Sequence, residues 1–170
     1  MVKVSVIAFI LFFNTIIQSA VFPFIDIYGV KPDTLLVLVV SVALLAGNPM
    51  ALTVGMFGGI TQDLLYGDVL GLYAILYMLI GYLAGLLYKK LPHGVIVLSV
   101  IVTIFSLVFR NAIIWGYLYF TDTTVHVLDF VFHVLLPEIA YTAIIAPLIF
   151  LGMARLYKCK FMFKRWLFRQ

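Results

Sequence analysis

Charged residues in this 170-residue chain are confined to a few short clusters, and long apolar segments separate one cluster from the next. The division gives about six segments, each close to the roughly 20 residues that a helix needs to cross a bilayer. Only 11% of the residues are charged and 65% are apolar, whereas soluble domains carry about 25% charged residues. This leaves too few polar side chains for a water-exposed surface, which excludes a soluble enzyme. We predict an all-α integral membrane protein, a compact bundle of six transmembrane helices.

The charge clusters set the limits of the six predicted spans, which form one transmembrane domain over residues 1–155. The spans are residues 4–22, 32–46, 49–66, 70–88, 95–120 and 130–154. The second span would be only about 22 Å long at about 1.5 Å per residue, so the hairpin 32–66 could instead be re-entrant. The first span also resembles a signal peptide, because Lys3 precedes an apolar run that ends at Ser19-Ala20. We expect a retained first helix.

The distribution of charge between successive loops favours six full crossings. If the N-terminus is cytoplasmic, the outer loops hold one cation, Lys31, and the carboxylates Asp26, Asp33, Asp68, Asp122 and Asp129. The inner side then holds Lys3, Lys89, Lys90, Arg155, Lys158, Lys160, Lys164, Arg165 and Arg169. This is the positive-inside pattern. Lys89 and Lys90 then share the inner side with the C-terminal cations, so we predict a multi-pass protein with both termini in the cytoplasm.

Local sequence signals mark where the second and third helices begin. Lys31-Pro32-Asp33 precedes the second helix; proline suits a first helical turn, and Asp33 would face the positive end of the helix dipole. Gly47-Asn48-Pro49 is typical of a helix terminator, an N-cap and a first-turn proline. We therefore predict a tight hairpin between the second and third helices.

Three ionisable residues lie inside predicted spans, where charge is costly and is therefore a candidate for function. Asp63, Arg110 and Glu138 all fall in the outer half of the membrane at similar depth. We predict a buried polar cluster in which Arg110 pairs with Glu138, Asp63 or both, while Gln62 and Asn111 add hydrogen bonds. A structural role, holding three helices together, is favoured over a relay for protons or substrate, because paired charges often serve only to satisfy each other.

Small residues recur at intervals of four along the third span. The pattern consists of Gly55, Gly59, Asp63, Gly67 and Gly71. Such a stripe lets another helix backbone approach closely, and a shorter pair follows at Gly81 and Gly85. The spacing does not decide whether the packing partner is within the chain or another protein, and internal packing is the commoner outcome.

No motif for catalysis, metal binding or a cofactor is evident. The sequence has no Gly-x-Ser-x-Gly, His-Glu-x-x-His, P-loop or dinucleotide fingerprint. His126, Asp129 and His133 would share one helix face, but no further ligand completes a metal set. We expect no enzymatic activity, no metal and no cofactor.

The C-terminal segment 156–170 combines cations with aromatic residues, and Arg155 directly precedes it. Cations contact anionic headgroups, and aromatic side chains insert at the interface, so this pattern favours a tail on the cytoplasmic membrane surface. A contact with a cytoplasmic partner is the alternative. Binding to nucleic acid is not expected for so short and aromatic a basic run beside a span.

The order of these motifs resembles the bacterial rod shape-determining protein MreD family. The resemblance rests on Lys31-Pro32-Asp33, the glycine and aspartate pattern from Gly55 to Gly71, and Ala146-Pro147 late in the last span. Lys31 departs from the family, which often has arginine there, and loses the bidentate geometry of a guanidinium. The family fold is similar to the S component of energy-coupling-factor transporters.

The resemblance implies a non-enzymatic scaffold in the bacterial inner membrane that belongs to the machinery for cell-wall elongation. The expected direct partner is MreC, and the wider complex would include MreB, RodZ, RodA and a class-B penicillin-binding protein. A homodimer through MreC or through its own helices is possible. The alternative function is a substrate-binding subunit of a vitamin-type transporter, with an outward pocket lined by Asp63, Arg110 and Glu138.

Overall fold

The computed structural model describes residues 2–20, 30–67, 69–89, 96–121 and 130–158. This part of the chain contains six α-helices and no strands, which confirms the all-α prediction. The helices are α1 (Val2–Ala20), α2 (Thr34–Ala46), α3 (Asn48–Tyr66), α4 (Leu72–Leu86), α5 (Ile96–Phe120) and α6 (Leu136–Lys158). A 3₁₀ turn, Leu87–Lys89, follows α4, and a π-helical turn, Val131–Leu135, precedes α6.

Helix α2 is the central element of the bundle. It contacts each of the other five helices, and every residue from Thr34 to Leu44 is buried. Its sequence is compatible with this position, because a helix that is apolar all round has no face suited to water. Ser41, one of its two polar residues, donates a hydrogen bond to the Val37 carbonyl at 2.7 Å. At about 20 Å, α2 is shorter than the roughly 30 Å hydrocarbon core of a bilayer.

The start of α2 differs from the sequence prediction by two residues. The helix begins at Thr34, and Asp33 is its N-cap, accepting a hydrogen bond from the Leu36 N–H at 2.8 Å. Pro32 lies before the cap and outside the first turn. The carboxylate of Asp33 satisfies a backbone donor that would otherwise be unpaired, so the cap decides where the helix begins.

A single residue, Gly47, connects α2 and α3. Its φ of 84° lies in the left-handed region, and its N–H donates to the Ala43 carbonyl at 3.1 Å. Gly47 is also the residue before α3, so Asn48 is the first helical residue and does not act as the predicted N-cap. Because glycine adopts this φ without steric cost, the chain reverses here with no further loop.

Helices α3 and α4 form an antiparallel pair with closely approaching backbones. A Cβ at Gly55 would overlap the Tyr77 carbonyl, and a Cβ at Gly59 would overlap the backbone of Ala74. From the other side, a Cβ at Gly81 would lie 2.7 Å from the Ala51 carbonyl oxygen. These glycines therefore pack within the chain. Gly85 belongs to the same contact and lies against the side chain of Asn48 on α3.

The other two glycines of the four-residue pattern serve a different purpose. Gly67 is the C-cap of α3, and its N–H donates to the Asp63 carbonyl at 3.0 Å. Gly71 is the N-cap of α4 with a φ of 102°, a value that glycine tolerates. The predicted stripe thus divides into packing residues inside α3 and turn residues beyond it.

Two of the described helices are long and apolar enough to cross a membrane. They are α5 and the continuous helix Val131–Tyr157, which includes nearly all of α6. The shorter apolar helices are Ser5–Ala20 within α1, together with α2 and α4. Large apolar side chains face outward on peripheral helices, among them Phe12, Phe105 and Leu148, which are 66%, 75% and 68% exposed. Crossing by all six helices remains a prediction.

Candidate functional site

Three charged side chains meet inside the bundle and form a buried triad, Arg110 with Asp33 and Glu138. Arg110 on α5 donates from Nη1 to the Asp33 carboxylate and from Nη2 to Glu138 Oε1 at 2.5 Å. Each of the three residues is at least nine-tenths buried. The planar guanidinium presents several donors in fixed directions, so one cation serves two carboxylates from different elements. The triad therefore joins the start of α2, the middle of α5 and the start of α6.

Neighbouring side chains complete the hydrogen bonding of both carboxylates. The Tyr77 hydroxyl donates to Asp33 Oδ2 at 2.6 Å, and Asn111 Nδ2 donates to Glu138 Oε2 at 2.8 Å. Arg110 Nη1 also donates to the Tyr77 hydroxyl at 3.3 Å. A buried charge is tolerated when it is paired and hydrogen-bonded, and these contacts meet that requirement.

The triad differs in one member from the cluster that the sequence predicted. Arg110, Glu138 and Asn111 come together, but the second carboxylate is Asp33 instead of Asp63. No sequence signal identified Asp33 or Tyr77 as members. Asp33 directly precedes α2, whose central position is not revealed by apolar composition. A tyrosine in an apolar helix serves as readily at a lipid interface.

Asp63 instead binds the first turn of α4. Its two carboxylate oxygens accept the backbone N–H of Tyr73 at 2.9 Å and of Ala74 at 3.0 Å. The N-cap of α4 is Gly71, which has no side chain to accept these bonds. Asp63 on α3 therefore caps α4 from a neighbouring helix, and its negative charge lies at the positive end of the helix dipole.

A polar recess of about 150 Å³ adjoins the triad. Its lining, which defines the recess below, consists of Gln18, Lys31, Pro32, Asp33, Gln62, Tyr66, Tyr73, Arg110 and Glu138. These residues come from all six helices or from the residues just before them. The Lys31 ammonium lies 5.6 Å from the centre of the Tyr66 ring, a cation–π arrangement. Gln62, predicted within the polar cluster, lines this recess.

The comparison with known proteins gives one family. The family described as rod shape-determining protein MreD matches residues 1–160 of the chain. The chain belongs to the MreD family. Membership assigns it to rod shape determination and to a family of membrane-associated proteins. No curated protein and no solved structure matches the chain.

Several predicted positions of this MreD-family chain lie at the edge of the described residues or outside them. His133 is in the π-helical turn, whereas His126 and Asp129 lie outside the described residues, and the described part contains no group of three metal-ligating side chains. Arg155 is an exposed residue of α6, and Lys158 is its last residue. The tail cations outside the described residues are Lys160, Lys164, Arg165 and Arg169.

Proposed function

We propose that the protein is a non-enzymatic membrane scaffold of the cell-wall elongation complex, and that it binds MreC and thereby organises peptidoglycan synthesis. The observation that carries the proposal is the buried triad, which joins α2, α5 and α6 through paired charges. A scaffold needs a surface whose shape exists before the partner arrives, and preorganisation lowers the cost of binding. Family membership in rod shape determination agrees with this role.

We further propose that all six helices form one bundle in the bacterial inner membrane, with both termini in the cytoplasm. The lengths of α5 and α6 and the exposed apolar residues of the peripheral helices support this arrangement. The short α2 is compatible with it, because a helix surrounded by five others faces protein and not lipid. A likeness to the S component of energy-coupling-factor transporters is part of the same proposal.

The proposed direct contact with MreC uses the exposed helix faces and the outer loops. Helix α1 offers one such face: Phe9, Phe12 and Phe13 are exposed, and the rings of Phe9 and Phe13 stack at 6.5 Å. Packing of complementary side chains drives helix association in membranes. Through MreC the scaffold would reach MreB, RodZ, RodA and a class-B penicillin-binding protein, and a homodimer could form through MreC or its own helices.

Cysteine crosslinking tests the proposed contact with MreC. Single cysteines are placed on exposed faces of α1, α5 and α6 in a Cys159→Ser background, and the chain is co-purified with MreC. We expect stable co-purification and crosslinks from one contiguous face. A cysteine at the buried Val40 of α2 serves as the control and should not react. Failure to capture MreC, or equal crosslinking from every face, would contradict the proposal.

The polar recess supports a second candidate, the substrate-binding subunit of a small-molecule transporter. Ligand sites in proteins are concave, and the recess is a concave site whose polar and charged lining side chains could hold a small polar ligand. The same purification separates the two functions. Capture of an ATPase module and a small organic ligand, in place of MreC, would favour the transporter.

A further inference from the structure

In the recess, the carboxylate acceptors already receive hydrogen bonds, whereas several donors do not make one. Its two carboxylates are well supplied with donors: Asp33 accepts from the Leu36 N–H, Tyr77 and Arg110, and Glu138 accepts from Arg110 and Asn111. A ligand that brought further donors would find few acceptor positions left on these groups. A ligand that fits the recess should therefore bring hydrogen-bond acceptors.

Several donors that line the recess have no acceptor in the described part of the chain. Arg110 Nε is buried without a hydrogen-bond partner. Gln18 is only 6% exposed, and none of the described residues accepts from its amide. Lys31 contacts the Tyr66 ring, and its ammonium forms no ion pair within the described ranges. A buried donor without a partner is costly, so Arg110 Nε indicates a missing acceptor, and the Gln18 amide and the Lys31 ammonium can supply further donors to it.

We propose that the recess binds a phosphate group, carried by a phospholipid headgroup or present as free phosphate. Phosphate has several acceptor oxygens pointing in different directions, which suits donors on Lys31, Gln18 and Arg110 better than a single carbonyl does. Lysine binds phosphate as a point charge, and guanidinium N–H groups match its oxygens. The two sources share this chemistry and differ only in the attached lipid.

Charge places the phosphate beside Lys31. Arg110 already pairs with Asp33 and Glu138. Lys31 has no carboxylate partner among the described residues, and it is only partly buried. The Gln18 and Gln62 amides line the same recess and can donate to a phosphate there.

Apolar surface near the recess offers a path for lipid chains. Tyr66, which lines the recess, is 41% exposed, and Leu65, the preceding residue of α3, is 50% exposed. A headgroup in the recess would leave its acyl chains along this part of α3.

Native mass spectrometry of the full chain in phosphate-free buffer tests the lipid source. The probe is phosphatidylglycerol, and diacylglycerol with the same acyl chains is the control without phosphate. We expect one phosphatidylglycerol per chain and no retained diacylglycerol. Lys31→Gln should weaken retention about tenfold, the usual effect of losing a charged hydrogen bond. Lys31→Arg should restore it, and Gln18→Leu should weaken it several-fold with no change in charge.

Arg155→Gln is the matched control, because it removes one exposed cation from α6 at the opposite end of the bundle. This variant should bind phosphatidylglycerol like the unmodified chain. Equal losses in Lys31→Gln and Arg155→Gln would show general attraction between cations and lipid, and would overturn the proposal. If Lys31→Gln does not fold, the proposal is tested by comparing phosphatidylglycerol retention in Lys31→Arg and Gln18→Leu.

Free phosphate is tested by thermal unfolding of delipidated chain. We titrate inorganic phosphate against chloride at equal ionic strength and expect an increase in Tm that is absent in Lys31→Gln. Retention of phosphatidylglycerol with no response to free phosphate assigns the site to a headgroup, and the reverse assigns it to the free ion. No response to either probe overturns the proposal. Both measurements use the chain alone, so they are independent of MreC capture.

Discussion

Arg110 is the residue on which the polar interior depends. It lies about halfway along an apolar helix, and its guanidinium contacts two carboxylates and a phenol from three other elements. Removing a charge from water is expensive, and in this case its partners are themselves buried charges. The arrangement is stable only as a set, because each member left alone would be an uncompensated charge.

We predict that Arg110→Leu destabilises the bundle by about 3–5 kcal/mol, since it leaves two buried carboxylates without their cation. Thermal and denaturant unfolding in detergent measure the loss. Phe105→Leu changes a side chain on the same helix that is 75% exposed, and should change stability by no more than about 0.5 kcal/mol. Comparable stability of the Arg110→Leu and Phe105→Leu variants would show that the ion pairs contribute little.

The contacts of Arg110 were only partly predictable from the sequence. A cation inside an apolar span must find a buried anion, and Glu138 and Asp63 were the partners expected from the sequence. Asp33 takes the place of Asp63, which the sequence did not predict, because a buried carboxylate is satisfied equally well by a cation or by backbone N–H groups. Asp63 is satisfied by backbone N–H groups, because it caps α4. This role depends on the residue at which α4 begins, which the sequence signals did not define.

The α3–α4 pair shows how one spacing can serve several purposes. Gly55 and Gly59 allow contact with the α4 backbone, Asp63 one turn later caps α4, and Gly67 and Gly71 form the turn between the helices. A four-residue period predicts a single helix face, so the sequence indicated the packing correctly for the first part of the pattern. It could not indicate that the helix ends within the pattern.

We predict that Gly55→Ala and Gly59→Ala separate α3 from α4 and cost about 1–3 kcal/mol each, because the new methyl overlaps backbone. Gly152→Ala on α6 is the matched control: a Cβ there meets nothing within 4 Å. That control should be neutral or stabilising by up to about 1 kcal/mol through helix propensity. Unfolding of the purified variants measures both effects, and a neutral Gly59→Ala would contradict the close approach.

The whole molecule has a short apolar helix at its centre and longer helices around it. Apolar composition predicted six helical segments, and the described residues contain six α-helices. It could not predict which one is central, because lipid-facing and core-facing side chains are both apolar in a membrane protein. The central place of α2 follows only from contacts with five other helices, which sequence periodicity does not report.

The position of α2 bears on the number of membrane crossings, which labelling at the turn between α2 and α3 tests. A re-entrant hairpin keeps its flanking residues on one side, so the loop after Lys90 and the C-terminus are cytoplasmic in both arrangements. Only the turn differs: it is cytoplasmic if α2 and α3 each cross, and it lies within the membrane or on the outer side if they do not. We predict that Pro49→Cys in a Cys159→Ser background, an exposed position beside that turn, reacts with a membrane-impermeant maleimide in inside-out vesicles and not in intact cells. Protection in inside-out vesicles, or labelling in intact cells, would reject six crossings and favour a re-entrant pair.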